Sequence, residues 1–144
     1  MQTIIIVSGH GIYATGMKSS FELLAGYNES INFIDFTCDD SEETLGEKYN
    51  EIINKNSNTS ILFFCDILGG TPYKTAAVIA NDKDNMEVVA GCNVGSLIEA
   101  SFQNDNMSVK ALAEAVVNSS INSTCLFKKV KTTEVKYIEP EEGI

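Results

Sequence analysis

Four short apolar runs divide the first ninety residues of the chain. The run from Thr3 to Ser8 is rich in isoleucine and leads into a glycine, and the run from Ser60 to Cys65 is apolar after its first residue. Ile31 to Phe36 and Met86 to Ala90 are of similar length. A short apolar run such as that of Thr3 to Ser8 is typical of a strand that is covered on both faces. The pattern therefore predicts four strands, of which the first is buried on both faces and the third is also continuously apolar.

Between these runs the apolar positions recur with the period of a helix. A first helix is predicted to begin near Gly11 and to end at Gly26, a residue type common at helix C-termini. Ala14, Met17, Phe21 and Leu24 form one apolar stripe along this helix. Further helices are predicted after the N-cap candidates Asp39, Asp40 and Ser41, from an N-cap at Thr71 followed by Pro72, over 96–102, and over 108–117.

Strands that alternate with helices predict a parallel sheet with helices on both faces. Right-handed crossovers with one reversal of winding give the strand order 2-1-3-4, that of an open, doubly wound α/β sheet. We expect a single domain over 1–144 with its core in 1–118. In the tail, 119–144, the pattern weakens, and Thr124 to Val130 and Thr133 to Ile138 are candidate strands.

The composition narrows the function classes. The formal net charge is −10 and all ten basic residues are lysine, so the chain lacks the basic stripe with which proteins bind nucleic acids. One histidine is too few for the usual Cys/His metal site. No apolar run is long enough for a membrane span, and the N-terminus lacks the basic leader of a signal peptide. We therefore expect a cytoplasmic protein without a metal.

The predicted topology selects two residues for chemistry. In open α/β sheets, ligands bind beyond the carboxyl ends of the strands, where the winding reverses. In the order 2-1-3-4 that point lies between the first and third strands, which are followed by His10 and Asp66. A carboxylate that accepts the proton of one imidazole nitrogen leaves the other nitrogen free for nucleophilic attack. His10 and Asp66 are thus a candidate nucleophile and the acid that orients it.

The surroundings of this pair suit an anion. One helix is predicted to start next to the histidine, and another follows Gly69 and Gly70. Helix N-termini present free N–H groups and partial positive charge, and glycines let the backbone approach a phosphoryl group closely. The predicted phosphoryl-binding residues are Gly9, Gly11, Gly69, Gly70 and Thr71. Such a site can hold a phosphohistidine, and it requires neither a metal nor a nucleotide cofactor.

A dinucleotide site is an alternative interpretation. The residues from Gly9 to Ala14 match the pattern G-x-G-x-x-A, and Asp35 lies near the end of the second strand, as a ribose-binding acid would. The chain, however, supplies barely half of a two-mononucleotide fold, and His10 is bulky within the glycine turn. A nucleotide- or flavin-binding domain, or a regulatory domain, is therefore kept as the second hypothesis.

Three motifs resemble one known family. They are S-G-H-G-I-Y-A-T-G at Ser8 to Gly16, I-D-F at Ile34 to Phe36, and D-I-L-G-G-T-P-Y at Asp66 to Tyr73. Together they are similar to the mannose-family enzyme IIA domain of the bacterial sugar phosphotransferase system. The resemblance covers about residues 1–118. A related alternative is the phosphate-donor subunit of dihydroxyacetone kinases, whose loops are less similar.

The resemblance implies a function for the site. His10 matches the family's phosphorylated histidine, which accepts phosphate from HPr and passes it to a IIB component, and Asp66 matches the acid that orients it. The resemblance suggests that Nε2 of His10 is phosphorylated and that Asp66 contacts Nδ1. Sugar is phosphorylated later, by IIB, as the membrane subunits IIC and IID transport it. The sequence does not identify that sugar.

The resemblance also implies contacts with proteins. Tyr13, Phe36 and Leu68 are the candidate partner-docking residues around the site. Family members are similar in forming homodimers in which a C-terminal strand crosses to the partner, which would give Thr124 to Val130 a role.

Overall fold

Four parallel strands form the centre of the molecule. A computed structural model describes residues 2–131 of the chain. The strands are β1 (Ile4–His10), β2 (Ile31–Phe36), β3 (Ile61–Cys65) and β4 (Met86–Ala90). Their order in the sheet is β2-β1-β3-β4, and all three neighbouring pairs are parallel. The predicted open α/β sheet with order 2-1-3-4 is confirmed.

Five helices connect and follow the strands. They are α1 (Tyr13–Ala25), α2 (Glu42–Lys55), α3 (Thr71–Ala80), α4 (Val94–Gln103) and α5 (Val109–Ser123). Gly26 terminates α1 with a positive φ of 81°, which glycine adopts without steric cost. Ser41 is the N-cap of α2. Its side chain accepts the backbone N–H of Thr44, and the Thr44 side chain accepts the backbone N–H of Ser41. Both positions agree with the predicted helix boundaries.

Alternate side chains of the strands build two separate cores. Ile5, Val7, Leu62 and Phe64 face one side of the sheet, and Ile4, Ile6, Ile61 and Phe63 face the other. Helices α1, α4 and α5 cover the first face, whereas α2 and α3 cover the second. Because β1 and β3 are covered on both faces, their sequences are continuously apolar rather than alternating.

The strand register brings the ends of β1 and β3 together. His10 is paired with Phe36 of β2, while on the other side the pairing of β1 stops at Ser8 and Cys65. The next residue after β3 is Asp66, whose N–H donates to the Ser8 carbonyl at 3.2 Å. His10 and Asp66 therefore lie at the carboxyl edge of the sheet, where the winding reverses.

The predicted start of α3 was wrong by one residue. Gly70, not Thr71, is the N-cap, and Thr71 is the first residue of the helix. Helix α4 also begins earlier than predicted, because the Asn93 side chain accepts the N–H of Ser96 and caps it. Both differences arise because cap positions depend on the path of the preceding loop as well as on residue type.

Helix α5 runs further than the sequence pattern predicted. It continues through 118–123, although serines compete with helical backbone bonds. The buried Ser120 hydroxyl donates to Ser96 Oγ of α4 at 2.8 Å and accepts the N–H of Asn93. Ser123 accepts from the Asn93 amide. These contacts between α5 and the start of α4 stabilise a serine-rich turn that looks unfavourable in isolation.

Residues 124–131 form neither helix nor strand within the chain. Leu126 and Phe127 are 90% and 80% exposed, and Val130 is exposed as well. The candidate strand from Thr133 to Ile138 lies outside the described residues. In 2–131, no helix is long and apolar enough to cross a bilayer.

Tyr49 joins α2 to the start of α3. Its ring is fully buried against Phe63, with ring centroids 5.1 Å apart, and its hydroxyl donates to the Pro72 carbonyl at 3.2 Å. Burial raises the pKa of the Tyr49 hydroxyl above its ordinary value. Tyr49 therefore stabilises the fold in its neutral form.

The raised pKa of Tyr49 predicts a loss of stability at alkaline pH. A group whose pKa is higher in the folded state contributes fully below its unfolded pKa, about 10 for tyrosine, and loses that contribution as pH rises. We expect Tyr49→Phe to cost about 1 kcal/mol at neutral pH through the lost hydrogen bond. Above pH 10 the free energy of unfolding of wild type should fall by about 1.4 kcal/mol more per pH unit than that of the variant.

Urea unfolding between pH 8 and 11 measures this difference. Tyr27→Phe is the matched control, since Tyr27 is 81% exposed, and it should follow the wild-type curve. Parallel curves for wild type and Tyr49→Phe would contradict the prediction.

Candidate functional site

The site is centred on a direct contact between His10 and Asp66. The Nδ1 atom of His10 lies 2.7 Å from Asp66 Oδ2, and the His10 backbone N–H donates to the same oxygen at 2.9 Å. The His10 side chain is 47% exposed and that of Asp66 15%. One carboxylate oxygen thus fixes both the backbone and the ring of the histidine, and the outer part of the ring stays accessible.

The environment of Asp66 favours its ionised form. Burial opposes ionisation, but the hydrogen bonds from the His10 backbone N–H and imidazole outweigh it and lower the pKa of Asp66. The N–H of Ile67 donates to the other oxygen, Oδ1, at 2.8 Å. Because an ionised carboxylate only accepts hydrogen bonds, the proton of a neutral His10 lies on Nδ1. The lone pair of Nε2 is then available for reaction.

Gly70 supports the imidazole from the side of α3. A Cβ added at this position would lie 2.7 Å from His10 Cε1 and 2.9 Å from Ile67 Cγ2. Gly69, immediately before it, adopts a φ of +78°. The pair therefore combines a turn that glycine favours with a close approach of backbone to the ring. We predicted both glycines from the loop pattern, whereas the contact with His10 is visible only in three dimensions.

The opposite flank is built by Gly9 and Gly11. A Cβ on Gly9 would overlap the ring of Tyr13 and lie 2.8 Å from Asp66 Cβ. Gly11 has a φ of +60°, and its N–H donates to the Phe36 carbonyl at 2.7 Å. The two glycines therefore let the chain turn sharply out of β1 while Tyr13 and Asp66 pack closely beneath it.

Two helices begin beside the imidazole. Helix α1 starts at Tyr13 and α3 at Thr71, and neither N-cap residue makes a side-chain capping bond. Their first turns carry partial positive charge and can stabilise an anion near His10. Because Gly70 is the N-cap, the Thr71 hydroxyl is not used as a cap. Within 2–131, no cluster of acidic, cysteine or histidine side chains has the arrangement of a metal site.

One aromatic ring contacts the exposed imidazole, and apolar side chains are exposed on the adjacent loops. The Phe36 ring meets the His10 ring edge-on, with centroids 5.7 Å apart, and Leu68 is 74% exposed. Tyr13 is half-buried against Gly9. Ile12, which was not predicted as a site residue, is 73% exposed and follows the histidine by two residues. The feature of the sequence that could have identified Ile12 is a large apolar residue between a glycine turn and the start of a helix.

The buried thiol of Cys65 does not form a dyad with the histidine. Cys65 is fully buried among residues covered by α2 and α3. Burial and the neighbouring Asp66 charge raise its pKa to about 12. A thiol with this pKa is protonated near neutral pH and is a poor nucleophile.

Fold and site together define a class of protein: an open, doubly wound α/β domain with an Asp-oriented histidine where the winding reverses. The chain belongs to the EIIA-man family, described as "PTS system fructose IIA component", whose model matches residues 3–117. This confirms the family resemblance found in the sequence motifs.

Individual relatives agree with this assignment. The chain is 36% identical over 107 residues to the mannose-specific EIIAB component of Escherichia coli (strain K12), covering 74% of this chain and 33% of that protein. The chain thus spans about a third of the length of that relative. It is 31% identical over 129 residues to the sorbose-specific EIIA component of Lacticaseibacillus casei, covering 89% of this chain and 94% of that protein.

A solved structure shows the same fold. The phosphotransferase system component EIIA from Streptococcus agalactiae superposes with a TM-score of 0.79 at 27% identity, covering 85% of this chain and 95% of that one. The names of these relatives match the phosphotransferase resemblance and not the dihydroxyacetone kinase alternative.

The close approach of Gly70 to the imidazole predicts a specific effect of Gly70→Ala. The added methyl group cannot fit 2.7 Å from Cε1, so the ring must turn away from its position beside Asp66. Since the ring is partly exposed and free to yield, the unfolding free energy should fall by only about 1 kcal/mol, the lower end of overpacking costs. The proton NMR signals of the sole imidazole should shift.

Gly16→Ala is the matched control for this substitution. Gly16 lies within α1, and a Cβ there meets nothing within 4 Å. This variant should gain about 0.5–1 kcal/mol from helix propensity and keep the imidazole signals of wild type. Unchanged imidazole signals in Gly70→Ala would show that the contact does not position the ring.

Proposed function

We propose that this chain is a phosphocarrier in which His10 accepts a phosphoryl group from HPr and passes it to a IIB component. The observation that carries the proposal is the exposed imidazole whose Nδ1 lies 2.7 Å from Asp66 Oδ2. This arrangement directs a lone pair on Nε2 outward and makes it accessible to another protein. The family membership of residues 3–117 supports the same reaction.

In the proposed step, Nε2 attacks the phosphorus atom of the donor. A bond forms between Nε2 and phosphorus, and the bond from phosphorus to the donor breaks, with its electron pair remaining on the donor. The proton on His10 Nδ1 stays in place, so the phosphorylated ring carries positive charge. The ionised Asp66 next to Nδ1 stabilises that charge, as a carboxylate does for an imidazolium in hydrolase triads. Transfer to IIB is the same step in reverse.

The surrounding backbone would hold the phosphoryl group. We assign this role to Gly9, Gly11, Gly69, Gly70 and Thr71, which form or flank the starts of α1 and α3. The transferring group is loosely bonded in the transition state, so positioning and charge stabilisation supply nearly all of the catalysis. The Thr71 hydroxyl, free of any capping role, is a further donor available to the phosphoryl oxygens.

The exposed apolar rim is the proposed docking surface for both partners. Tyr13, Phe36 and Leu68 were predicted for this role, and we propose that Ile12 and Ile67, which are 73% and 55% exposed, belong to the same surface. Apolar side chains around a reactive atom exclude water when a partner docks, which strengthens electrostatic interactions at the site. Sugar transport through the membrane subunits IIC and IID would follow downstream. The cytoplasmic location stays a prediction.

We also propose that the chain forms a homodimer through β4. In residues 2–131, no strand pairs with the outer edge of β4. Two clefts, of about 570 Å³ and 310 Å³, lie on either side of this strand. Val88 lines both of them. An open strand edge is suited to strand addition, and the smaller cleft beside it is lined mainly by apolar side chains of β4 and α5. The exposed apolar residues Leu126, Phe127 and Val130 make 124–131 the segment proposed to cross to the partner.

Intact-protein mass spectrometry tests the phosphocarrier proposal. After incubation with phosphoenolpyruvate, enzyme I and HPr, wild type should carry one acid-labile phosphoryl group, which is lost when a cognate IIB is added. His10→Ala should carry none. Asp66→Asn should accept the group about 100-fold more slowly, because a neutral amide no longer stabilises the positive charge that develops on the imidazole.

The proposal would be overturned if wild type carried no adduct although the donor proteins are active. It would also be overturned if His10→Ala carried the phosphoryl group to the same extent as wild type. Far-ultraviolet circular dichroism of each variant distinguishes loss of the nucleophile from loss of the fold.

Sedimentation equilibrium tests the dimer. Wild type should sediment as a dimer, and the double variant Leu126→Ser/Phe127→Ser should weaken the association by about 10-fold or more, since apolar groups near an interface centre dominate its affinity. Val78→Ser, at a 76% exposed position on α3, is the control with a similar loss of exposed apolar surface. A monomeric wild type would contradict the proposal.

A further inference from the structure

Helix α1 is capped by a residue from a different element. Its own N-cap residue, Ile12, has no side-chain oxygen with which to accept a backbone N–H. Instead, Asp35 of β2 accepts the N–H of Thr15, the third residue of the helix, at 2.9 Å. The Thr15 hydroxyl donates to the second oxygen of the same carboxylate. Asp35 therefore performs from the neighbouring strand what an N-cap side chain usually does locally.

This capping contact lies next to the reactive loop. Asp35 is paired with Gly9 in the register of β1 and β2, and the following residue, Phe36, is paired with His10. The Phe36 carbonyl accepts the N–H of Gly11, and its ring meets the His10 ring. Two consecutive residues of β2 thus hold the segment directly after His10, one through its backbone and the other through its side chain.

The segment needs such support, because its own residues supply little. Gly11 turns the chain at a φ of +60°, and glycine leaves the backbone more freedom than any other residue. His10 itself is held through its backbone N–H and ring to Asp66 on the side of β3. Movement of the Gly11–Ile12 turn would carry the His10 backbone with it and lengthen both contacts to Asp66.

Resting on the proposed function, we infer that Asp35 is a positioning residue for phosphoryl transfer. By anchoring Thr15 it fixes the start of α1 and the turn that follows His10, so the imidazole keeps its Nδ1 contact with Asp66. Asp35 does not contact the imidazole. Its carboxylate is already bonded to α1, which also explains its place near the end of β2 without the ribose considered in the dinucleotide interpretation.

The sole histidine makes this inference directly measurable. Nitrogen-15 NMR of the imidazole reports the fraction of the Nδ1–H tautomer from one set of signals, with no donor protein present. In Asp35→Ala that fraction should fall, and kcat/KM for phosphoryl acceptance should fall about 10-fold, since small displacements of a reacting group are costly. Asp35→Asn, whose amide oxygen still accepts the Thr15 N–H, should restore both values to within about 3-fold of wild type.

Two further variants separate positioning from general destabilisation. Thr15→Val keeps the backbone contact and loses only the hydroxyl, so it should shift the tautomer in the same direction by a smaller amount. Asp40→Ala removes a comparable carboxylate, which bonds Thr37, Thr44 and Lys48 at the start of α2. It should lower the thermal midpoint without changing the tautomer.

The inference is overturned if a folded Asp35→Ala keeps the wild-type tautomer, or if Asp40→Ala changes the tautomer equally. If Asp35→Ala does not fold, an unchanged tautomer in Thr15→Val overturns it, and a shift supports it. A wild type that accepts no phosphoryl group would overturn the proposed function alone, because the tautomer comparison needs no transfer.

Discussion

The structure of the site depends on one carboxylate oxygen that accepts two hydrogen bonds from the same residue. Asp66 Oδ2 is bonded to both the backbone N–H and the Nδ1 atom of His10. This geometry exists because β1 and β3 are parallel neighbours whose pairing ends at Ser8 and Cys65, two residues before His10 and one before Asp66. The hydrogen bonds outweigh the cost of burying the carboxylate, and they select the tautomer that leaves Nε2 reactive.

The rest of the fold keeps this pair in place from both sides. Gly70 brings the start of α3 against one edge of the imidazole, and Gly9 lets Tyr13 and Asp66 pack close together beneath it. Tyr49 holds the Pro72 carbonyl from within the core. A rigid base with an exposed ring above it suits the proposed phosphocarrier, whose ring would be oriented by its own protein and reached by two others.

The strands could be predicted because their causes are local, and the placement of His10 and Asp66 at one edge followed from the predicted strand order. Continuous apolar runs mark β1 and β3, which are buried on both faces. The boundaries of the edge strands β2 and β4 were also predicted without error. The start of α3 and the end of α5 could not be predicted as well. The first depends on the path of the Gly69–Gly70 turn, and the second on a hydroxyl of α5 that bonds Ser96 of α4.

By itself, the sequence determined the sheet, its order, and the placement of His10 and Asp66 at one edge, because hydrophobic periodicity and handed crossovers leave few arrangements open. Only the tertiary structure decided which atoms meet. It places Nδ1 of His10 against Asp66, Gly70 against Cε1 of the same ring, and the Asp35 carboxylate against the backbone N–H of Thr15 in α1. The physical reason is the separation along the chain. Hydrophobic periodicity relates residues a few positions apart, whereas these contacts join residues 20 to 60 positions apart. Only the packing of the sheet and helices fixes the distances between them.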